Sequence, residues 1–204
     1  MDEHATVFIV DDAPAILASL STLLGAMGYA VRTFESAERY LEAEEPEVPG
    51  CLLLDIRMPG MGGLELQRRL VGSPGERPIV FLTGAADVPT SVRAMKVGAV
   101  DFLTKPIDAE RLRVAVAQAL QRDVELRARR ALRGVIQQRF ATLTPRERQV
   151  MTHIIGGLLN KQIAAALGTG EKTVKVHRAR VMSKMGARSV PELVHLGVRI
   201  GVET

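Results

Sequence analysis

Residues 51–54 read Cys-Leu-Leu-Leu, and Asp55 follows at once. Four apolar side chains in a row, without alternation, suit a strand covered on both faces, as in a parallel sheet. Thr6–Val10, closed by Asp11 and Asp12, and Pro78–Leu82, closed by Thr83, have the same character. Tyr29–Phe34 and Val100–Leu103 read as two further strands. Between the strands the apolar spacing turns helical, over Pro14–Met27, Ala37–Glu44, Gly63–Leu70 and Pro89–Val97. A last helix runs over Asp108–Ala119, with Asp108 as its N-cap. Five strand–helix units in about 120 residues predict right-handed crossovers and a doubly wound sheet, with helices on both faces.

The longest uncharged run, Ala13–Val31, is long enough to raise the question of a membrane span. It holds Pro14, Ser19, Ser21, Thr22, Gly25 and Gly28, and its large residues form one stripe of an amphipathic helix. No membrane partner is expected. The opening Met1-Asp2-Glu3-His4 has no basic stretch, so no signal peptide is expected either. A single cysteine excludes a disulfide framework or a Cys-rich zinc site, and the four histidines are scattered. A cytoplasmic location follows as the expectation, with Cys51 reduced and buried.

Charge divides the chain. Residues 1–122 carry 12 basic and 17 acidic side chains; residues 123–204 carry 15 basic and six acidic. The basic end points to an anionic partner, nucleic acid first. All seven aromatic residues lie at or before Phe140, so the last 64 residues must build their core from Leu, Ile, Val and Met. That suits a small helical bundle and argues against an aromatic platform for single strands or RNA.

In an open parallel sheet, ligands bind beyond the carboxyl ends of the strands. Asp11, Asp12, Asp55, Thr83 and Lys105 all fall there. Any one aspartate after a strand is an ordinary turn or cap residue. Three carboxylates gathered at one edge repel unless a cation sits among them, and hard oxygen donors suit Mg²⁺. A lysine and a small hydroxyl alongside are what a transferred phosphoryl group needs. A carboxylate can itself be the nucleophile, forming an aspartyl phosphate.

Residues 1 to about 122 resemble the receiver domain of two-component response regulators. The matching residues are Asp11-Asp12, Asp55 within Leu54-Asp55-Ile56-Arg57-Met58-Pro59-Gly60, Thr83-Gly84, and Asp101-Phe102-Leu103-Thr104-Lys105-Pro106. The resemblance implies a flavodoxin-like five-stranded sheet of order 2-1-3-4-5, with Asp55 as phosphoacceptor. It implies that Asp11, Asp12, Asp55 and the main-chain carbonyl of Arg57 hold Mg²⁺ (or Mn²⁺). Thr83 and Lys105 would bind the phosphoryl oxygens, and Phe102 would act as an aromatic switch. In such regulators the face around Pro89–Leu112 tends to dimerise on phosphorylation.

Gln118–Phe140 lacks strand signals and is rich in arginine; it reads as a helical linker, frayed at Gly134. Thr144 then N-caps a helix, with Pro145 in its first turn and Glu147 closing a capping box. Asn160 reads as the cap of the next helix, which Gly168 ends. Glu171–Met185 is a third, ended by Gly186, and Val190–Ile200 a fourth. Two helices joined by a short glycine-containing turn are the helix-turn-helix pattern. At 100° per residue, Val174, Val181 and Met185 share one face of the third helix. The opposite side presents Lys172, Lys175, Val176 and Ala179, flanked by Thr173 and Arg180. That side suits the major groove of promoter DNA. Lys175 can bond guanine acceptors, and Val176 and Ala179 can touch a thymine methyl. Lys172, Thr173, Arg178, Arg180 and Lys184 suit phosphates. His177 reads as a packing or phosphate residue.

This end resembles the LuxR-type DNA-binding domain over about Ala141–Glu203. Leu143-Thr144-Pro145-Arg146-Glu147, Lys161-Gln162-Ile163-Ala164, Thr173-Val174-Lys175-Val176-His177-Arg178 and Lys184-Met185-Gly186-Ala187-Arg188-Ser189 carry the match. Gly170 stands where such domains usually have a capping serine, and Ala85-Ala86 replaces a more polar pair. Receiver plus this module is the NarL/FixJ type, closest to FixJ-like members. The expected division is a receiver over 1–122, a linker over 123–140 and a DNA-binding domain over 141–204. The resemblance implies a non-enzymatic regulator, capable only of Mg²⁺-dependent self-phosphorylation and slow loss of the phosphate. Its expected partners are a sensor histidine kinase, a second copy of itself, promoter DNA and RNA polymerase. Two other readings are an orphan regulator that binds DNA without phosphorylation and, remotely, a Mg²⁺-dependent phosphohydrolase.

Overall fold

Strands β1 (Thr6–Val10), β2 (Ala30–Phe34), β3 (Gly50–Asp55), β4 (Ile79–Thr83) and β5 (Asp101–Thr104) form one parallel sheet of order β2-β1-β3-β4-β5 in a computed structural model. The structure describes residues 5–43, 46–84 and 98–202. The helix expected over Pro89–Val97 and the Ala85-Ala86 pair lie outside the described residues. Helices α1 (Pro14–Ala26), α2 (Ala37–Glu42) and α3 (Gly63–Leu70) follow the first three strands.

The three inner strands explain the unbroken apolar runs. Every residue of β1, β3 and β4 is buried, because helices cover both faces. Alternate side chains enter opposite cores. Val7, Ile9, Leu53 and Leu82 join Leu17, Leu20 and Leu24 of α1. Phe8, Val10, Leu52, Leu54 and Phe81 join Tyr40 of α2 and Leu66 of α3. Gly50 lets β3 lie close against β1: a Cβ there would stand 2.0 Å from the Thr6 carbonyl oxygen. The register pairs Val10 with Leu54 and Leu54 with Phe81, so the carboxyl ends of β1, β3 and β4 lie side by side.

The chain divides into two compact units, Met1–Arg127 and Ala128–Thr204, and the division falls inside one helix, α4 (Ala109–Ala141). The backbone N–H of Arg111 donates to Asp108 Oδ1 at 2.9 Å, which caps the start of α4. The helix continues through Gly134, where fraying was expected: that glycine lies mid-helix without any special backbone conformation. In the first unit Leu112, Ala115, Val116 and Ala119 of α4 are buried in the core. In the second, Ile136 is buried and Phe140 packs beside it.

The second unit continues with α5 (Pro145–Ile155), α6 (Asn160–Ala166), α7 (Glu171–Met185) and α8 (Val190–Arg199). Its core is aliphatic apart from Phe140, with Val150, Ile154, Ile163, Val174, Val181 and Met185 at its centre. The capping box forms as expected: Glu147 N–H donates to Thr144 Oγ1 at 3.3 Å, and Thr144 N–H donates to Glu147 Oε2 at 2.9 Å. Asn160 is not a cap. Leu159 holds that position, its N–H donating to Gln162 Oε1 at 2.8 Å. The Asn160 side chain instead accepts from Arg178 of α7 at 3.3 Å.

Candidate functional site

The expected cluster assembles at the carboxyl edge of the sheet around two fully or nearly buried carboxylates, Asp11 and Asp55. Lys105 Nζ donates to Asp11 Oδ2 at 2.6 Å and to Asp55 Oδ1 at 2.8 Å. The other Asp55 oxygen accepts the Arg57 N–H at 2.7 Å, and Asp11 Oδ1 accepts the Ala13 N–H at 3.0 Å. Lys105 is held by its own backbone, whose N–H donates to the Thr83 carbonyl at 2.7 Å. Thr83 ends β4 and is buried.

Burial raises the Asp55 carboxyl above its ordinary value, against the opposing pull of Lys105, because the charged form loses water. Burial works to lower the Lys105 ammonium, yet its bonds to Asp11 and Asp55 hold it above its ordinary value. The site is therefore two carboxylates sharing one ammonium, with a net negative charge.

Asp12 departs from the expectation of three converging carboxylates. It is exposed, and among the described residues no three acidic, His or Cys side chains gather as a metal-holding group. Lys105 sits against both buried carboxylates and offsets the repulsion that a third carboxylate would have needed a cation to relieve. The oxygen donors present still fit a hard divalent ion, since two buried carboxylates face a single ammonium and the Arg57 carbonyl follows in the next loop. Phe102 is half-buried on β5, its ring stacked on Phe81 with centroids 5.4 Å apart.

On α7, Val174, Val181 and Met185 are buried, as the helical spacing requires. Lys172, Thr173, Lys175, Val176, Ala179 and Arg180 are exposed, with Val176 47% exposed. They form a continuous outer side of a helix 15 residues long, starting at its N-terminus. Arg178 is half-buried on Asn160. Lys184, expected as a phosphate contact, is half-buried and pairs within the unit: its ammonium donates to Glu147 Oε2 at 2.6 Å and to the Thr142 carbonyl at 3.0 Å. His177 Nδ1 is buried without a hydrogen-bond partner, in keeping with a packing role.

Some working residues were not legible in the sequence. Asp123, inside the expected linker, is buried and accepts from the Gly50 N–H at 2.9 Å and from Arg127 Nε at 2.8 Å. The Arg127 guanidinium also donates to the carbonyls of Pro46, Glu47 and Val48. Arg139 Nη1 donates to the Met185 carbonyl at 3.1 Å, satisfying the end of α7 where Gly186 turns left-handed. The i, i+4 spacing of Asp123 and Arg127 was a signal, but an exposed helix pair has the same spacing.

Comparison with known proteins agrees with this arrangement. Residues 7–117 match the response regulator receiver domain, and residues 141–196 match the luxR family of bacterial regulatory proteins. The chain is 43% identical over 198 residues to nodulation protein W of Bradyrhizobium diazoefficiens, covering 97% of this chain and 87% of that one. It is 43% identical over 202 residues to the transcriptional regulatory protein FixJ of Azorhizobium caulinodans, covering 99% and 96%. Among solved structures, the response regulator StyR aligns over 96% of this chain and 99% of its own, with 48% identity and a TM-score of 0.72. Full-length FixJ from B. japonicum aligns over 98% of each chain, with 41% identity and a TM-score of 0.57. FixJ is a transcriptional regulatory protein and StyR a response regulator. No helix among the described residues is long and apolar enough to cross a membrane. The chain belongs to the FixJ-like response regulators, in which a receiver domain is joined to a LuxR-type DNA-binding domain.

Proposed function

We propose that Asp55 accepts a phosphoryl group from a partner sensor histidine kinase and that the phosphorylated chain dimerises on promoter DNA in the cytoplasm and activates transcription. The observation that carries this reading is the Asp55 carboxylate, held from both sides by the Lys105 ammonium and the Arg57 N–H. An Asp55 oxygen attacks phosphorus, and the bond from phosphorus to the kinase imidazole nitrogen breaks. The imidazole leaves and takes up a proton. Asp11, Asp12, Asp55 and the Arg57 carbonyl would hold Mg²⁺, which supplies positive charge to the phosphoryl oxygens as they crowd the site. Lys105 offsets charge on the same oxygens, and Thr83 donates a hydrogen bond to them.

The product adds about −1.5 to −2 charge beside the end of β4. Movement of Thr83 toward it leaves space that Phe102, stacked on Phe81, can take up. That couples the site to the face around β5. In the second unit, Lys175, Val176 and Ala179 read base edges in the major groove. Lys172, Thr173, Arg178 and Arg180 contact phosphates, and Lys184 reaches the backbone only by sharing its bond to Glu147. Activation would further require contact with RNA polymerase.

The test is intact mass and solution molar mass after treatment with acetyl phosphate and Mg²⁺, wild type beside Asp55→Asn. The expected result is one added phosphoryl group and a shift from monomer to dimer, both lost in the variant. No added phosphoryl group, or a dimer that forms without one, overturns the reading in favour of a phosphorylation-independent regulator.

A further inference from the structure

Residues 56–62, between Asp55 and α3, belong to no strand or helix. Hydrogen bonds along the loop hold it instead. At its start the Ile56 N–H donates to the Leu82 carbonyl at 3.1 Å, and the Arg57 N–H to Asp55 Oδ2 at 2.7 Å. At its end the Gly63 N–H donates to the Ile56 carbonyl at 3.1 Å, so the loop closes on itself. Glycine allows that closure: a Cβ at 63 would stand 2.2 Å from the Asp55 carbonyl oxygen. Met58 and Met61 are buried in the core that holds Tyr40 and Leu66.

The far side of the loop is tied from another element. Glu38, in the first turn of α2, accepts the Met61 N–H at 2.9 Å across 23 positions of sequence. Gly60 is left-handed, with φ +73°, and a Cβ there would stand 2.9 Å from the same Glu38 oxygen. The turn can close over the carboxylate because that position is glycine. Bonds from its own N–H, the Met61 N–H and the Ser36 hydroxyl hold the Glu38 carboxyl below its ordinary 4.5, so it is ionised at neutral pH. A bond to an ionised acceptor is about twice as strong as a neutral one. Glu42, one turn further along α2, bonds Arg39 at 3.3 Å instead.

We propose that Glu38 is a positioning residue for the phosphorylation site, fixing the loop that carries the Arg57 N–H and carbonyl. The proposal rests on the phosphorylation reading above and adds a residue of α2 to it. Arg57 lies four positions before Met61 in the same closed loop. Mg²⁺ demands near-ideal placement of its oxygen donors. A carbonyl on an untied loop would have to be ordered as the ion binds, at a cost in affinity. Glu38 orders it beforehand. It acts through the backbone and takes no part in the bond changes at phosphorus. Groups that orient a metal's ligands without touching the metal change its affinity by about 10- to 100-fold.

The test compares the full chain as wild type, Glu38→Ala, Glu38→Gln and, as a control for charge, Glu42→Ala. Amide NMR titration gives the Mg²⁺ Kd, and intact mass gives the acetyl phosphate rate over a Mg²⁺ series. Hydrogen exchange reads the Met61 N–H without metal. Glu38→Ala should raise the Mg²⁺ Kd at least about tenfold, and raise by the same factor the Mg²⁺ concentration that gives half the maximal rate. Its Met61 amide should exchange at least about tenfold faster, while the β1 and β3 amides keep wild-type protection. Glu38→Gln keeps an acceptor of the same reach and should stay within about threefold of wild type in each measurement. Glu42→Ala should match wild type. An unchanged Kd in Glu38→Ala, or an equal loss in Glu38→Gln or Glu42→Ala, overturns the proposal. So does a loss of β1 and β3 protection in Glu38→Ala, which would make Glu38 a residue of the fold at large. A wild type that takes up no phosphoryl group overturns the phosphorylation reading and this proposal with it. A phosphorylated wild type beside an unaffected Glu38→Ala overturns this proposal alone.

Discussion

Glu147 and Lys184 meet at 2.6 Å across the second unit, joining the first turn of α5 to the last turn of α7. Glu147 is buried and also accepts the Thr144 N–H, so one carboxylate caps one helix and ties down another. The bond to Lys184 and that backbone bond hold the Glu147 carboxyl down at about 2. Its ordinary value is 4.5. A carboxyl lowered on folding contributes stability above the unfolded value and loses it as pH falls through the folded one. The second unit should therefore lose stability between about pH 4.5 and 2, and Glu147→Gln should flatten that loss. Urea unfolding at a series of pH values reads this directly. At neutral pH, Glu147→Ala should cost about 2–3 kcal/mol, since charge-assisted bonds to a buried group are lost.

Lys105→Met removes the ammonium that bonds both Asp11 and Asp55. Phosphorylation by acetyl phosphate should slow about 100-fold, the scale of one lost charge-stabilising donor. The Asp55 carboxyl should rise further, because the Lys105 hydrogen bond and positive charge that oppose its burial are gone. Intact-mass time courses compare the rates. A wild-type rate in this variant would remove Lys105 from the chemistry.

Asp55 must be ionised to attack phosphorus, and burial already holds it above its ordinary 3.8. In the metal-free protein Asp55 should accordingly take up its proton at a higher pH than a free aspartate as acid is added. A pH titration of the Asp55 carboxyl carbon resonance without Mg²⁺ measures that midpoint. A midpoint at or below the ordinary value would contradict the burial of this group.

Salt separates the roles of the α7 lysines. Lys172→Ala should weaken DNA binding about evenly across sequences and lower the slope of log affinity against log salt by about 0.9. Lys175→Ala should cost about 1–3 kcal/mol and relax preference at one base pair. Titrations of operator variants at several salt concentrations distinguish the two.

Much of the fold was legible because parallel strands buried on both faces leave an unmistakable apolar signature. Cys51–Leu54 and Thr6–Val10 are the clearest cases. Four of the five strand ends also identified a site residue, since topology alone carries Asp11, Asp55, Thr83 and Lys105 to one edge. Asp12 is exposed where Asp11 is buried, because adjacency in sequence says nothing of which neighbour turns inward. Lys184 has a partner that local spacing does not reveal: a basic residue on a recognition helix reads as a DNA contact, and here a buried carboxylate from another helix binds it as well. Asn160 carries the usual capping chemistry, yet the helix starts one residue earlier and its amide serves Arg178. Long-range pairs such as Asp123 with Gly50, 73 positions apart, leave no local trace.

That last pair sets where the receiver can be cut. The matched receiver domain ends at residue 117 and the sheet at Thr104, both before Asp123, so a truncation near residue 117 looks natural. It would strip the Gly50 N–H of its acceptor and release the carbonyls of Pro46, Glu47 and Val48 from Arg127. A buried N–H left unmet costs about 1–3 kcal/mol, a large share of a domain's marginal stability. A receiver ended after Arg127 should therefore express and fold as an independent protein, whereas one ended ten residues earlier should be prone to aggregate at the amino end of β3.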